Sequence, residues 1–311
     1  MSSADAPHRL TLTTRAALAS LGLALFLLAL KAVAAWQTGS VAMLGSLADT
    51  ALDLIASLVT LYGVRLAARP ADREHRFGHG KAEALSALFQ VVLIALSAMA
   101  IFGRAIERLM NGDVTARAEL GIGVSAIAIV ATVILLAYQR HVIARTQSVA
   151  IRADHVHYQS DVLLNAAVIA ALALDQYLGV RWADPAFGIG IALALLWGAW
   201  RAAAQAIDQL MDREWPEARR QHFLAVAARH PALAGIHDLR TRSSGTQDFV
   251  QFHMWVDPAM TVAEAHRVMD EVEQQLEAEF PGTEILIHLD PVGQIDKEGV
   301  LPTHLAEEAT R

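Results

Sequence analysis

The sequence predicts a membrane α-helical fold of six transmembrane helices, followed by a small cytoplasmic α+β domain. Three observations predict it. In a chain of 311 residues that is 54% hydrophobic, several apolar runs exceed 18 residues. The net charge of −7 is split, with 9 Lys and Arg against 18 Asp and Glu from Asp212 onward, and 16 against 14 before it. After Met211 the long apolar runs stop, and short segments with helical and period-two patterns take over.

Six apolar spans can be placed in order: Thr14–Trp36, Val41–Ala67, Lys81–Met110, Ala116–His141, Ser148–Leu178 and Asp184–Met211. The start, MSSADAPHRLTLTTR, is polar, and the first apolar run is too long for a signal-peptide core, so it reads as a retained first helix. Polar residues crowd the first half of the fifth span. Arg65, Arg69, Arg73, Arg76 and Lys81 surround the loop after the second span, and Arg140, Arg145 and Arg152 the turn after the fourth. The turn Gln37 to Ser40 has no such residue. By the positive-inside rule both basic loops are cytoplasmic, and six spans then place both termini there. Arg117 and Arg181, on the other side, weaken this bias without reversing it. The expected location is the cell inner (plasma) membrane, with the bilayer as a partner.

Beyond the sixth span, Glu217–Arg229 reads as an amphipathic helix stopped by Pro231. Gly235–Arg242 and Asp248–Val256 read as strands joined at Ser243-Ser244-Gly245. Val250, Phe252, Met254 and Val256 alternate with Gln251, His253 and Trp255. Thr261 and Glu264 form a capping box for a helix that runs to Phe280, where Pro281-Gly282 ends it. Ile285–Asp290 is a third strand. The order αββαβ is that of a ferredoxin-like or metallochaperone-like domain. The domains expected are 1–211, 212–291 and a polar, disordered tail, 292–311.

The chain has no cysteine, which excludes disulfides and thiolate metal sites and disfavours copper(I) carriers. Nothing in it suggests nucleic-acid binding. The chemistry begins with Asp49 and Asp53, four residues apart and so on one face of the second span, in a stripe with Gly45, Ser46, Thr50 and Ser57. A carboxylate within the membrane is costly, so a divalent cation, protons or both must compensate the pair. His157 and Asp161 form a second such pair on the fifth span. Together they offer three carboxylates and one imidazole, a set that suits tetrahedral zinc(II), while ligand type leaves iron(II), cobalt(II), cadmium(II) and manganese(II) open. Asp154 and Asn165 extend that stripe, Asp154 as a lining of the cytoplasmic approach and Asn165 as a helix-contact hydrogen bonder.

Two more clusters stand out. In PADREHRFGHGKAE, Asp72, His75 and His79 lie on one short loop and can hold one zinc ion with water. The alternative is a polar loop drawn to anionic lipid by its arginines. In the last domain His237, His253, His266, His288 and Asp290 gather on strands and one helix, with His288 and Asp290 on one face of their strand.

These features resemble the cation diffusion facilitator family over nearly the whole chain, from about Leu12 to Pro291: DxxxD in the second span, HxxxD in the fifth, and the motifs PADREHRFGHGKAE, HYQSD and HDLRTRSSG. The resemblance implies a homodimeric metal/proton antiporter for divalent cation efflux. It implies a transport site at Asp49, Asp53, His157 and Asp161, and a loop site at Asp72, His75 and His79. It further implies a two-metal regulatory site at His237, His253, His266, His288 and Asp290, the aspartate bridging. Lys81 and Asp212 match a charge interlock near the family's dimer interface. The HxxxD form points to Zn2+, with Fe2+ and Cd2+ as companions. Leu289 departs from the polar Gln of close relatives, which bears on the outer coordination of the regulatory site. Two other classes compete: an intramembrane metal-dependent hydrolase, which would need an open coordination position and lacks an HExxH motif here, and a membrane metal sensor, which leaves the buried acids unexplained.

Overall fold

The computed structural model describes residues 5–38, 41–111, 121–178, 182–229, 234–245 and 247–292. Six long helices come first: α1 (Asp5–Thr38), α2 (Val41–Ala67), α3 (Ala82–Asn111), α4 (Gly121–Thr146), α5 (Val149–Leu178) and α6 (Ala183–Leu210). Then follow α7 (Glu217–Ala227), β1 (Ala234–Ser244), β2 (Gln247–Val256), α8 (Val262–Glu279) and β3 (Thr283–Pro291). The chain divides into two compact units, one of them Arg9–Asp208 and the other holding α7, α8 and the three strands. The tail expected to be disordered lies, but for Val292, outside the described residues.

Among the described residues, five helices are long and apolar enough to cross a membrane, over Arg9–Val33, Thr50–Ala67, Ala82–Glu107, Ala126–Thr146 and Pro185–Leu210. The expectation of six spans is met to that extent. The sixth long helix, α5, carries Arg152, Asp154, His155, His157 and Asp161 in its first half. Helix α1 starts nine residues before the first predicted span, because its polar first turns extend the helix beyond the apolar run. Helix α4 ends at Thr146 rather than at His141, so Arg145 joins Arg140 on the helix itself and the α4–α5 connection is only Gln147 and Ser148. That turn is closed by a left-handed Gln147 (φ 55°) and by the Ser148 hydroxyl, which caps α5 by accepting from Ile151 N at 3.3 Å.

Small residues let these helices approach. Ala16 and Ala17 of α1, Leu61 and Val64 of α2, Val142 of α4, and Ala150 and Ile151 of α5 form one buried cluster. Ile94 and Ala98 of α3 form another with Ile191, Leu195 and Ala199 of α6. Gly63 marks the tightest crossing: a Cβ there would stand 2.5 Å from the side chain of Ser86 on α3. Leu25, Phe26, Leu52, Leu58, Leu96, Met99, Ile134 and Trp197 point outward, as suits side chains in contact with hydrocarbon.

In the second unit, β2 is central, antiparallel to β1 and parallel to β3. Val250, Phe252 and Met254 of β2, with Ile285 and Ile287 of β3, pack on Phe223 and Val226 of α7 and on Val272 and Leu276 of α8. The opposite face of the sheet is therefore left to Gln251, His253 and Trp255. The predicted capping box is present: Thr261 Oγ1 accepts from Glu264 N, and Glu264 accepts from Thr261 N at 2.9 Å.

Candidate metal centres

The geometry within the membrane unit begins where α2 packs against α5. Asp53 and His157 meet there, with His157 Nε2 3.0 Å from Asp53 Oδ1. Asp161, one turn further along α5, brings a carboxylate oxygen within 4.8 Å of both. His157 is buried, so an imidazole and two carboxylates share a small volume largely shielded from solvent. Two oxygens and one nitrogen converge at this spacing, a donor set of the kind that binds a divalent cation. Asp49 stands on α2 one turn before Asp53, but its side chain lies outside the described residues.

Asp154 does not line an approach. It is 0% exposed and is enclosed by three donors: Ser20 Oγ of α1 at 2.5 Å, Gln139 Nε2 of α4 at 2.7 Å and Gln90 Nε2 of α3 at 2.9 Å. Each donor comes from a different helix, so this carboxylate ties α5 to three others one turn before His157. Tyr158 adds to the tie: its hydroxyl donates to Ser20 O at 3.0 Å and lies 2.9 Å from Ser57 Oγ on α2. Asn165 donates back to Asp161 O at 2.7 Å, which satisfies its own helix rather than bridging to another.

The loop residues Asp72, His75 and His79 also come together, their ligand atoms all within 4.8 Å. Asp72 Oδ1 accepts from Glu74 N at 2.9 Å and His75 N at 2.7 Å, an Asx turn that folds the loop back. Its Oδ2 is 3.2 Å from His79 Nε2. The backbone amide of His75, above all, holds the Asp72 carboxyl below the usual carboxylate range.

The third cluster follows from strand register. His237, His253 and His288 occupy one rung across β1, β2 and β3. Asp290, two residues along β3, returns to the same face and is buried. Its Oδ2 lies 2.8 Å from His253 Nδ1 and 3.2 Å from His237 Nε2, and its Oδ1 lies 3.3 Å from His288 Nε2. The two oxygens therefore face different imidazoles, as a bridging carboxylate requires. His237 Nδ1 is 3.0 Å from Gly235 O; donating there leaves Nε2 with its lone pair toward Asp290. Burial pushes the Asp290 carboxyl up, but the His253 hydrogen bond and the neighbouring imidazoles outweigh this and hold it below its ordinary value. The donor set fits a divalent ion.

His266 is not brought to this cluster. It is exposed on α8 and pairs with Asp270 at 3.8 Å. Lys81 stands at the head of α3, where its carbonyl accepts from Leu85 N at 3.2 Å, and Asp212 lies 3.8 Å from Arg242. Leu289 packs against the core of the sheet rather than toward Asp290.

Sequence reading missed three features. One is Lys31, whose Nζ donates to Thr50 Oγ1 at 2.6 Å beside the α2 acids. Another is a pair of register shifts that frame His237, between Ala234 and His237 and between His237 and Arg240. The left-handed Gly235 and Asp238 were the available signal, and Gly235 admits the Trp255 ring where a Cβ would lie 2.1 Å from it. The third is Asp238 itself, 3.8 Å from His253 Nε2.

Comparison with known proteins agrees with this layout. Residues 17–211 match the cation efflux transmembrane domain, and residues 215–292 match the cation efflux protein cytoplasmic domain. The chain is 43% identical to the cation-efflux pump FieF of Salmonella paratyphi A over 288 residues, 93% of this chain and 96% of that protein. Identity and coverage are the same for FieF of Salmonella newport. The metal-bound C-terminal domain of the CzcD transporter from Thermotoga maritima is 23% identical, covering 26% of this chain and 100% of that one, with a TM-score of 0.25.

Proposed function

The chain belongs to the cation efflux family, and on that premise we propose that it exports Zn2+, with Fe2+ and Cd2+ as companions, in exchange for protons. The observation that carries this reading is the meeting of Asp53, His157 and Asp161 between α2 and α5. With Asp49 they form a set of four N and O ligands for one ion, the transported substrate. A complete four-ligand set leaves no position for activated water, which separates transport from hydrolysis.

Antiport follows from ligand chemistry. Metal binds deprotonated carboxylates and neutral imidazole, so loading releases protons and protonation releases metal. The imidazole of His157 is the kind of group that titrates nearest neutrality. When the site opens to the cytoplasm, near-neutral pH favours loading. When it opens outward, entering protons displace the ion. The switch is a rigid-body movement of helices about a fixed site. Here α5 would move together with the helices that Asp154 and Tyr158 bind to it.

The chain works as a homodimer in the inner membrane, with six spans over 1–211, both termini cytoplasmic, and the cytoplasmic domain at 212–291 followed by a tail. In that domain His237, His253, His288 and Asp290 would hold regulatory metal, Asp290 bridging two ions. His266 would join them only after a change at α8 or from a second subunit. Bound metal would stabilise the dimer and bias transport. Asp72, His75 and His79 would hold a further ion on the loop, and Lys81 with Asp212 would form the interlock.

The test is metal flux in proteoliposomes. Asp49→Ala, Asp53→Ala, His157→Ala and Asp161→Ala each nearly abolish zinc flux while leaving a folded dimer. Normal flux in any two of them contradicts the site.

A further inference from the structure

Lys31 stands near one end of the α1 span, 22 residues beyond Arg9, which is about 33 Å of helix. A lysine there ordinarily extends its chain to the interface and leaves the ammonium in water. This one turns inward. Its Nζ donates to Thr50 Oγ1 at 2.6 Å, and Thr50 is 1% exposed. Thr50 follows Asp49 directly and precedes Asp53 by three residues, so it belongs to the acid-bearing part of α2. Lys31 is also near enough for its charge to act on the carboxylate of Asp161 on α5. One ammonium on α1 is thus bound to the acid-bearing part of α2 while its charge acts on an acid of α5.

We propose that Lys31 is a tethered counter-cation of the transport site, a positioning residue that competes with the metal and favours its release. The inference rests on the function proposed above. Carboxylates left by a departing cation repel one another within the membrane. A cation that cannot diffuse away lowers that cost, which makes release easier. The same charge repels an incoming divalent ion, so it weakens binding as it speeds turnover. Thr50 anchors the ammonium on the acid-bearing part of α2.

The experiment is zinc flux in proteoliposomes of the full chain, with initial rates measured over a range of Zn2+ concentrations. Lys31→Met removes the charge: half-saturation falls by roughly tenfold and the maximum rate falls with it. Lys31→Gln, which still reaches Thr50 by a hydrogen bond, shifts in the same way, since charge carries the effect. Lys31→Arg restores both parameters toward wild type. Unchanged half-saturation in Lys31→Met, a Lys31→Gln variant at wild-type values, or a Lys31→Arg variant that behaves like Lys31→Met overturns the proposal. If flux is lost in Asp53→Ala and Asp161→Ala but unaltered in both neutral Lys31 variants, the role of Lys31 alone is wrong. If flux survives in Asp53→Ala and Asp161→Ala, the transport site itself is wrong and this inference falls with it.

Discussion

Asp154→Ala tests whether the buried carboxylate on α5 is a structural tie. The change removes an acceptor that takes hydrogen bonds from Ser20, Gln139 and Gln90 at 2.5, 2.7 and 2.9 Å. Hydrogen bonds between membrane helices average about 0.6 kcal/mol and reach about 1.7. The three bonds together are therefore worth about 2–5 kcal/mol, the upper part of that range reflecting complete burial. The loss is moderated because Gln139 keeps Ser20 Oγ at 3.0 Å and Gln90 keeps Thr60 Oγ1. Asp154→Asn is the control. Its one carbonyl oxygen can serve Ser20 and Gln139, and its amide can face Gln90 Oε1, which has no hydrogen-bond partner among the described residues, once that amide rotates. The expected cost of the asparagine is about 1 kcal/mol or less. Unfolding of the purified protein in detergent, followed by helical signal, gives both numbers. Zinc flux should fall more in Asp154→Ala than in Asp154→Asn, because α5 carries His157 and Asp161. An alanine variant as stable and as active as wild type would refute the reasoning.

Further outcomes follow from the same contacts. His157→Asp makes the transport set all-carboxylate, so competition flux should show a relative gain of Mn2+ or Cd2+ over Zn2+; an unchanged preference counts against His157 as a ligand. Gly63→Ala sets a Cβ 2.5 Å from Ser86, so it should cost about 1–3 kcal/mol in detergent unfolding, partly relieved by Ser86→Gly. Asp290→Ala should lower the zinc count per chain by native mass spectrometry, and should make dimerisation weaker and more salt-dependent as acidic domains repel over about 8–10 Å; unchanged metal content contradicts the bridging role. Thr261→Ala should cost the cytoplasmic domain about 1 kcal/mol. Bonds from the Thr261 backbone and hydroxyl hold the Glu264 carboxyl below its usual 4.5, so the carboxylate's share of the cap is present above that pH and is lost as pH falls through the lowered value, while the Thr261 hydroxyl still accepts from Glu264 N. Hydrogen exchange at the start of α8 reads this.

The helices and strands were legible because their patterns are local: apolar length for five spans, a period of two in β2, a capping box at Thr261. That His157 and Asp161 share one face of α5 was legible for the same reason, since a spacing of four residues fixes a shared face whatever the helix packs against. What escaped depends on packing between elements. Asp154 looked like a pathway residue because nothing in the chain announces that Ser20, Gln90 and Gln139 converge on it from three helices. Lys31 belongs to no local motif, and only its hydrogen bond to Thr50 on α2 turns it inward. On β1, two register shifts decide how His237 reaches the rung of His253 and His288, and spacing alone does not encode them. His266 shares its residue type with the cluster but sits on an exposed stretch of α8.

The central claim is exchange of metal for protons at the α2–α5 site, and the most direct test is simultaneous zinc and proton flux in proteoliposomes with an imposed pH gradient. With an acidic lumen, external zinc should enter faster than without a gradient, the lumen should turn alkaline in step with zinc entry, and Asp161→Ala should abolish both signals together. Zinc entry that ignores the gradient and moves no protons would contradict the account.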